Sequence, residues 1–302
     1  MTTNFPNGVS VRGIPVLGGG AAIPATTGRV YFVHSGTGNN GHQGTDSSQP
    51  FATIDYAIGQ CTASKFDVIV VMPGHAETLS GATSLVLDVA GVQVIGLGTG
   101  ALRPTLTYSA TASIISITAA NCTLQNLVLV SDIDNLVTGI SLAAGADGTT
   151  LRNIEMRDGA SNKEFLIGIA IATTCTDVTI DGLRFYGLAG GATGCIEAAG
   201  SADRFRLVNS YIRGQFSSQT VDLTAGASTD IEVAYNVIIN IETGAGLGVA
   251  AHNSTTGFVH DNRIANLKDT VVGVSGTGLA YAENYLTNAL NASGIILPTV
   301  DS

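Results

Sequence analysis

The sequence predicts an all-β protein, a solenoid of short strands wound into three sheets. Three observations predict it. A short apolar strand recurs between Val92 and Asn288 around one slot, occupied from the second copy on by Asn126, Asn153, Gly182, Asn209, Asn236, Asn262 and Asn284, spaced 27, 29, 27, 27, 26 and 22 residues apart. A near-fixed period with small insertions marks a solenoid, whose units bury a continuous core only by stacking. Within each unit apolar and polar residues alternate, as in Val178 and Ile180 against Thr179 and Asp181, and period two sends alternate side chains to opposite faces of a strand. A period near 26 also leaves room for three strands of about five residues and three turns.

The elements follow in chain order. Residues 1–28 carry Pro6, Pro15, Pro24 and the triplet Gly18–Gly20, with Phe5, Val9, Ile14 and Val16 as sparse apolar anchors. Such a stretch buries too little to fold alone, so an extended arm lying on another surface is expected. Residues 29–290 form the solenoid domain. Arg29–His34 reads as a strand, and the polar run to Pro50 as a loop. Around residues 50–62, Ile54, Ala57, Ile58 and Cys61 share one face at helical spacing, with Ser47 or Ser48 placed to cap the helix. An open solenoid end presents unpaired backbone and apolar interior, so this helix is its natural cover. Phe66–Pro73 reads as a buried strand. After Gly98 no segment shows sustained helical periodicity, and residues 291–302 read as a tail.

In this frame Asn126, Asn153, Asn209, Asn236, Asn262 and Asn284 are expected to form a structural ladder. Stacked about 4.8 Å apart, one per coil, their amides can bond one another and the turn backbone.

Composition excludes several functions. A formal charge of −10 with 13 basic residues leaves no clustered cations for phosphate backbones, so no nucleic acid partner is expected. No run of eighteen apolar residues occurs, so no membrane span is expected. The first twenty residues combine neither a basic stretch nor an apolar core of leader length, which reads as a product of the cytoplasm. Cys61, Cys122, Cys175 and Cys195 have neither disulfide-framework nor zinc spacing and read as small buried hydrophobes. The five histidines form no metal-binding pair. No cofactor or metal is assigned.

Cleavage of a polysaccharide would need paired carboxylates for general acid and base work, or a calcium-held Asp/Glu cluster with a nearby basic residue acting as base. Candidates are Glu155, Asp158, Asp181, Glu197, Asp203, Asp222, Asp230, Glu232, Glu242 and Glu283. Asp177, Asp203 and Asp230 recur before strands as turn residues. Asp158 beside Arg157, and Glu155 one coil from Arg184, read as solvated pairs. No three carboxylates stack at one position, so no catalytic residue is assigned and the chain is expected not to be an enzyme. Tyr186, Tyr211, Tyr235, Tyr281 and Tyr285 are available as sugar platforms.

The run GRVYFVHSGTGNNGHQGTDSSQPFATIDYAIGQC, followed by DVIVVMPGHAETL and VQVIGLGTGALRPTL, resembles the opening of right-handed parallel β-helix proteins of the pectate-lyase-like superfamily. That resemblance implies the fold for about residues 29–290. It leaves activity open, because the superfamily includes lyases, hydrolases, tailspikes and non-enzymatic virion proteins. The opening MTTNFPNGVSVRGIPVLGGG resembles the arms of tailed-phage virion proteins. The expectation drawn is a structural virion protein of a tailed bacteriophage, located on the particle surface. It would decorate or cement the capsid as a homotrimer, with Phe5, Val9, Ile14 and Val16 touching the major capsid protein or a neighbouring subunit. The alternatives are a tailspike-like polysaccharide lyase or hydrolase, and a glycan-binding module without catalysis.

Overall fold

The computed structural model describes residues 10–11, 14–15, 26–242, 248–267, 273–288 and 294–296. Three long sheets run side by side along it. Sheet 1 has ten strands, from Val30–Val33 to Leu279–Ala282; sheet 2 has ten, from Ala76–Leu79 to Gly294–Ile296; sheet 3 has eight, from Leu85–Leu87 to Val274–Ser275. A typical coil visits them in order: Thr123–Gln125, Val128–Ser131 and Leu136–Leu142, before Thr150–Arg152 begins the next. Successive coils pair in parallel from Val30–Val33 to Asn284–Asn288, so the chain forms a three-sheet parallel β-solenoid.

The alternation of residue types becomes files of stacked side chains. In sheet 1 the inward file is Val94, Leu124, Leu151, Ile180, Leu207, Val233 and Val259, each directly opposite the next and all buried. Sheet 2 contributes Leu106, Leu129, Met156, Phe185, Ile212, Ile238 and Ile264 in the same way. Each such side chain stabilises the rod by about 1.5–3 kcal/mol relative to exposure. Tyr108, Phe165, Phe185 and Phe216 stack through the interior with ring centroids 5.4, 6.1 and 5.5 Å apart. Cys122, Cys175 and Cys195 are buried, and burial raises all three thiols, Cys175 to about 11.

The first two strands of sheet 1 read as continuous apolar runs because both their faces are covered. Val30, Phe32, Val68, Val70 and Ile95 form a second small core on the outer side. The loop that follows the first strand reaches it by backbone bonds from Phe32 to Gly44 and from Phe51 to Phe32.

The expected cap helix is shorter than residues 50–62. Helix α1 spans Ile54–Ile58, and its N-cap is Thr53 rather than Ser47 or Ser48, the Thr53 hydroxyl accepting the Tyr56 N–H. Ser47 and Ser48 stand seven and six residues before Ile54, whereas a capping residue directly precedes the first turn. Ile54, Ala57 and Ile58 are buried, and the two α1 carboxylate partners tie it to the first coil: Asp55 accepts the Val86 N–H at 2.9 Å, and Glu77 accepts the Ile54 N–H at 3.1 Å. At the other end, part of the expected tail is a strand. Gly294–Ile296 pairs antiparallel with Asn284–Asn288 and covers that edge of sheet 2. In the arm, Ser10–Val11 pairs antiparallel with Ile14–Pro15. Phe5, Val9 and Val16 lie outside the described residues, as does the side chain of Ile14.

The corner between sheets 1 and 2 holds a correction to the repeat itself. One residue per coil is left-handed there: Asn126, Asn153, Gly182, Asn209, Tyr235, Asp261 and Glu283, with φ between 49° and 72°. Strand register agrees, since Val208 opposes Ala234, which sets Asn209 against Tyr235 and Ser210 against Asn236. The asparagines therefore occupy two neighbouring positions instead of one slot. Asn126, Asn153 and Asn209 take the left-handed position, which asparagine tolerates. Asn236, Asn262 and Asn284 take the next one, fully inside the corner.

Candidate functional site

Strand alternation gives sheet 2 an outer face with two files. The first runs Thr105, Val128, Glu155, Arg184, Tyr211, Val237, Arg263 and Tyr285; the second runs Thr107, Val130, Arg157, Tyr186, Arg213, Ile239, Ala265 and Thr287. Five of the chain's ten arginines, counting Arg103 beside the first strands, belong to this face of an acidic protein.

A cleft of about 580 Å³ opens near its N-terminal end, lined by Arg103, Glu155, Arg157 and Arg184 together with Gly100, Ala101, Thr105 and Val128. Its wall exists because the corner after Gln93–Gly96 is longer than the others. It contains the 3₁₀ turn Gly100–Leu102 and ends on Arg103. Asn126 holds this long corner, donating from Nδ2 to the carbonyls of Gly96 at 2.8 Å and Gly98 at 3.1 Å. Arg103 then crosses to later coils. Nη2 donates to the carbonyls of Leu127 and Asn153, and Nη1 donates to Glu155 Oε2 at 2.9 Å.

Glu155 is consequently gripped from two sides, since Arg157 Nη1 lies 3.6 Å from its other oxygen. Burial lowers the Arg103 guanidinium from its ordinary value; Glu155 opposes that shift, and the positive charges of Arg184 and Arg157 add to it. Three guanidinium groups against one carboxylate leave the cleft with an excess of positive charge. Arg184, Arg213 and Arg263 form no ion pair among the described residues, whereas Arg152, Arg204 and Arg206 on sheet 1 and its corner are paired with Asp181, Asp177 and Glu232. Between the free arginines, Tyr186 and Tyr211 lie ring to ring at 5.7 Å.

The other candidates separate. Asp158 is buried rather than solvated, because sheet 2 turns into the corner there; it accepts the N–H groups of Phe165 at 3.3 Å and Leu188 at 2.8 Å. Asp203 caps a turn by accepting the Thr229 N–H. Glu197 and Asp222 stand directly opposite one another on the outer face of sheet 3. Their carboxyls also bond neighbouring threonines, Thr193 and Thr224. His75 is buried; its Nδ1 accepts the Ser35 N–H at 3.0 Å, which leaves Nε2 to donate to Glu77 at 3.0 Å. That pair fastens the first loop to α1. Among the described residues no three His, Cys, Asp or Glu side chains are grouped to hold a metal ion.

Sequence reading named Glu155 with Arg184 but missed Arg103 and the sheet 2 face as a unit. The signal was present as a charged residue or tyrosine at the first and third positions of three successive sheet 2 strands, Glu155-Met156-Arg157, Arg184-Phe185-Tyr186 and Tyr211-Ile212-Arg213.

No protein-family model matches the chain, and no curated protein matches it. Among solved structures it is similar to a GH136 lacto-N-biosidase from Eubacterium ramulus, at 12% identity and a TM-score of 0.41, covering 85% of this chain and 67% of that one. It is also similar to a rhamnogalacturonan lyase, at 10% identity and a TM-score of 0.42, covering 89% of this chain and 90% of that one. At these identities the likeness concerns the fold, and no residue role is transferred. The expectation that the chain is not an enzyme is not borne out: both of these structures are of proteins named as enzymes, and that likeness by itself assigns this chain no activity.

Proposed function

We propose that the chain acts on an anionic polysaccharide, bound in the sheet 2 cleft and cleaved there by elimination. The observation that carries this reading is the cleft itself: Arg103, Arg157 and Arg184 around the single carboxylate of Glu155. Arginine forks match carboxylate or sulfate groups through paired charge-assisted hydrogen bonds. Neutralising a uronate carboxylate makes the hydrogen on the adjacent ring carbon more acidic. Glu155 is the one carboxylate lining the cleft, and it accepts that proton. The electron pair left behind forms a double bond in the ring as the glycosidic oxygen departs from the next carbon, which needs a proton from solvent. Hydrolysis by a carboxylate pair would need a second acid in this cleft.

The test is incubation with polyuronates, a sulfated glycan and a neutral glycan, following the ultraviolet absorbance of the unsaturated product. Arg184→Ala should weaken binding about tenfold or more, since a hydrogen bond to a charged group contributes about 1.5–3 kcal/mol. Glu155→Gln should keep binding and abolish turnover. Equal handling of neutral and acidic glycans would sink the proposal.

One observation favours a second reading. Glu197 and Asp222 face each other in adjacent coils of sheet 3, and a facing pair of carboxylates is the equipment that hydrolysis of a glycosidic bond requires. Loss of hydrolytic activity in Glu197→Gln, with the sheet 2 variants active, would select it. Carriage on a phage particle, as a homotrimer beside the major capsid protein, is a further proposal supported by the resemblance of the opening residues. Labelling intact particles with antibody tests it.

A further inference from the structure

We infer that the polysaccharide lies parallel to the solenoid axis, one sugar ring per coil, on a track that begins in the Glu155 cleft and ends at a second cleft around Arg263 and Tyr285. This rests on the reading of sheet 2 as an anionic-glycan site. Four features carry it beyond that reading.

The first is the second cleft, of about 500 Å³, which lies on the same outer face and is lined by Val237, Ile239, Arg263 and Tyr285 among others. Its polar and apolar parts suit one acidic sugar: a guanidinium for the charge, and a phenol ring, 54% exposed, for the sugar's flat face. The second is register. Arg184, Tyr211, Val237 and Arg263 are successive members of one file, so Arg263 lies three coils beyond Arg184, about 14 Å along the axis at the ordinary strand spacing. The third is the intermediate Arg213, one coil beyond Tyr186 in the neighbouring file. The fourth is charge: Arg184, Arg213 and Arg263 are without ion pairs among the described residues, although carboxylates partner the arginines of sheet 1. A pyranose ring linked through opposite carbons advances by about one strand spacing. An axial polymer therefore keeps step with the coils and meets Arg184, Arg213 and Arg263 in turn, passing the apolar Val237 and Ile239 between the last two, whereas a polymer crossing the sheet would meet only one of the three.

The test uses the full chain carrying Glu155→Gln, which prevents cleavage, and two probe series of graded length: oligogalacturonates and heparin-derived oligosaccharides. Affinity is measured by calorimetry. The expected result is affinity that rises with length until an oligomer spans Arg184 to Arg263. Arg263→Ala and Tyr285→Ala should each weaken the long oligomers about tenfold and leave the shortest unchanged, while Arg184→Ala weakens all lengths. Where an alanine variant loses its thermal transition, Arg263→Gln, Tyr285→Leu or Arg184→Gln takes the place of the alanine at that position. If Arg184→Ala weakens binding but Arg263→Ala and Tyr285→Ala do not at any length, the axial track is overturned while the cleft reading survives. If neither probe series binds, both fall together.

Discussion

Asn262 concentrates the residue-scale argument. It is fully buried, donates to the Val233 carbonyl at 2.8 Å and to Asn284 Oδ1 at 2.9 Å, and accepts from both the backbone and the side chain of Asn236 at 3.0 Å. Removing its amide strands buried partners on both sides, each costing about 1–3 kcal/mol. Asn153, in the left-handed position of an earlier coil, is exposed and bonds Asn126 Oδ1. Asn262→Ala should therefore lower the denaturant midpoint markedly, and Asn153→Ala by much less, a comparison that equilibrium unfolding in urea checks. The sequence displays asparagine at both places because asparagine serves both: it tolerates positive φ, and its amide can pair with itself in a stack. Letters alone do not distinguish those two reasons. The hydrogen bonds do.

At the scale of elements, α1 and the long corner before Thr105 break the repeat and do the most for it. Helix α1 is only five residues long, too short to persist by helix propensity alone. It is held by Ile54, Ala57 and Ile58 against the interior of the first coil and by the bonds to Asp55 and Glu77. Ile58→Asp would place a charge in that contact and uncover the first coil. The expected outcome is association into larger species, read by light scattering, because an uncovered coil end offers backbone pairing. The helix was legible from the spacing of Ile54, Ala57 and Ile58; its length and its Thr53 cap were not, since Pro50 and several serines offered competing starts. The long corner was invisible as a functional element, because nothing in Gly98–Arg103 announces that Arg103 will reach residues about fifty positions later. Contact across coils depends on register.

For the whole molecule, stability is a sum of coils and of the interfaces between them. Phe185 sits in the inward file of sheet 2 and touches the aromatic stack on both sides, with Phe165 at 6.1 Å and Phe216 at 5.5 Å. Phe185→Ala should cost about 3–5 kcal/mol. Its position in the middle of the rod also weakens the coupling of the two halves. Unfolding followed by near-ultraviolet circular dichroism should then broaden or split, where a single sharp transition with unchanged midpoint would contradict this account. The same rod geometry gives the outer face of sheet 2 its use, since a surface that repeats at one strand spacing is suited to a ligand that also repeats.

The sequence by itself determined the class of fold, because period two within strands and a period near 26 between coils follow directly from which residues must be buried. It also determined which residues would line the core, since a parallel stack sets like against like. Tertiary structure alone decided which arginines meet Glu155, where Asp158 ends up, and that the asparagines form two files. Those outcomes depend on corner lengths and on register, which a single residue can shift without disturbing the hydrophobic pattern that specifies the rod.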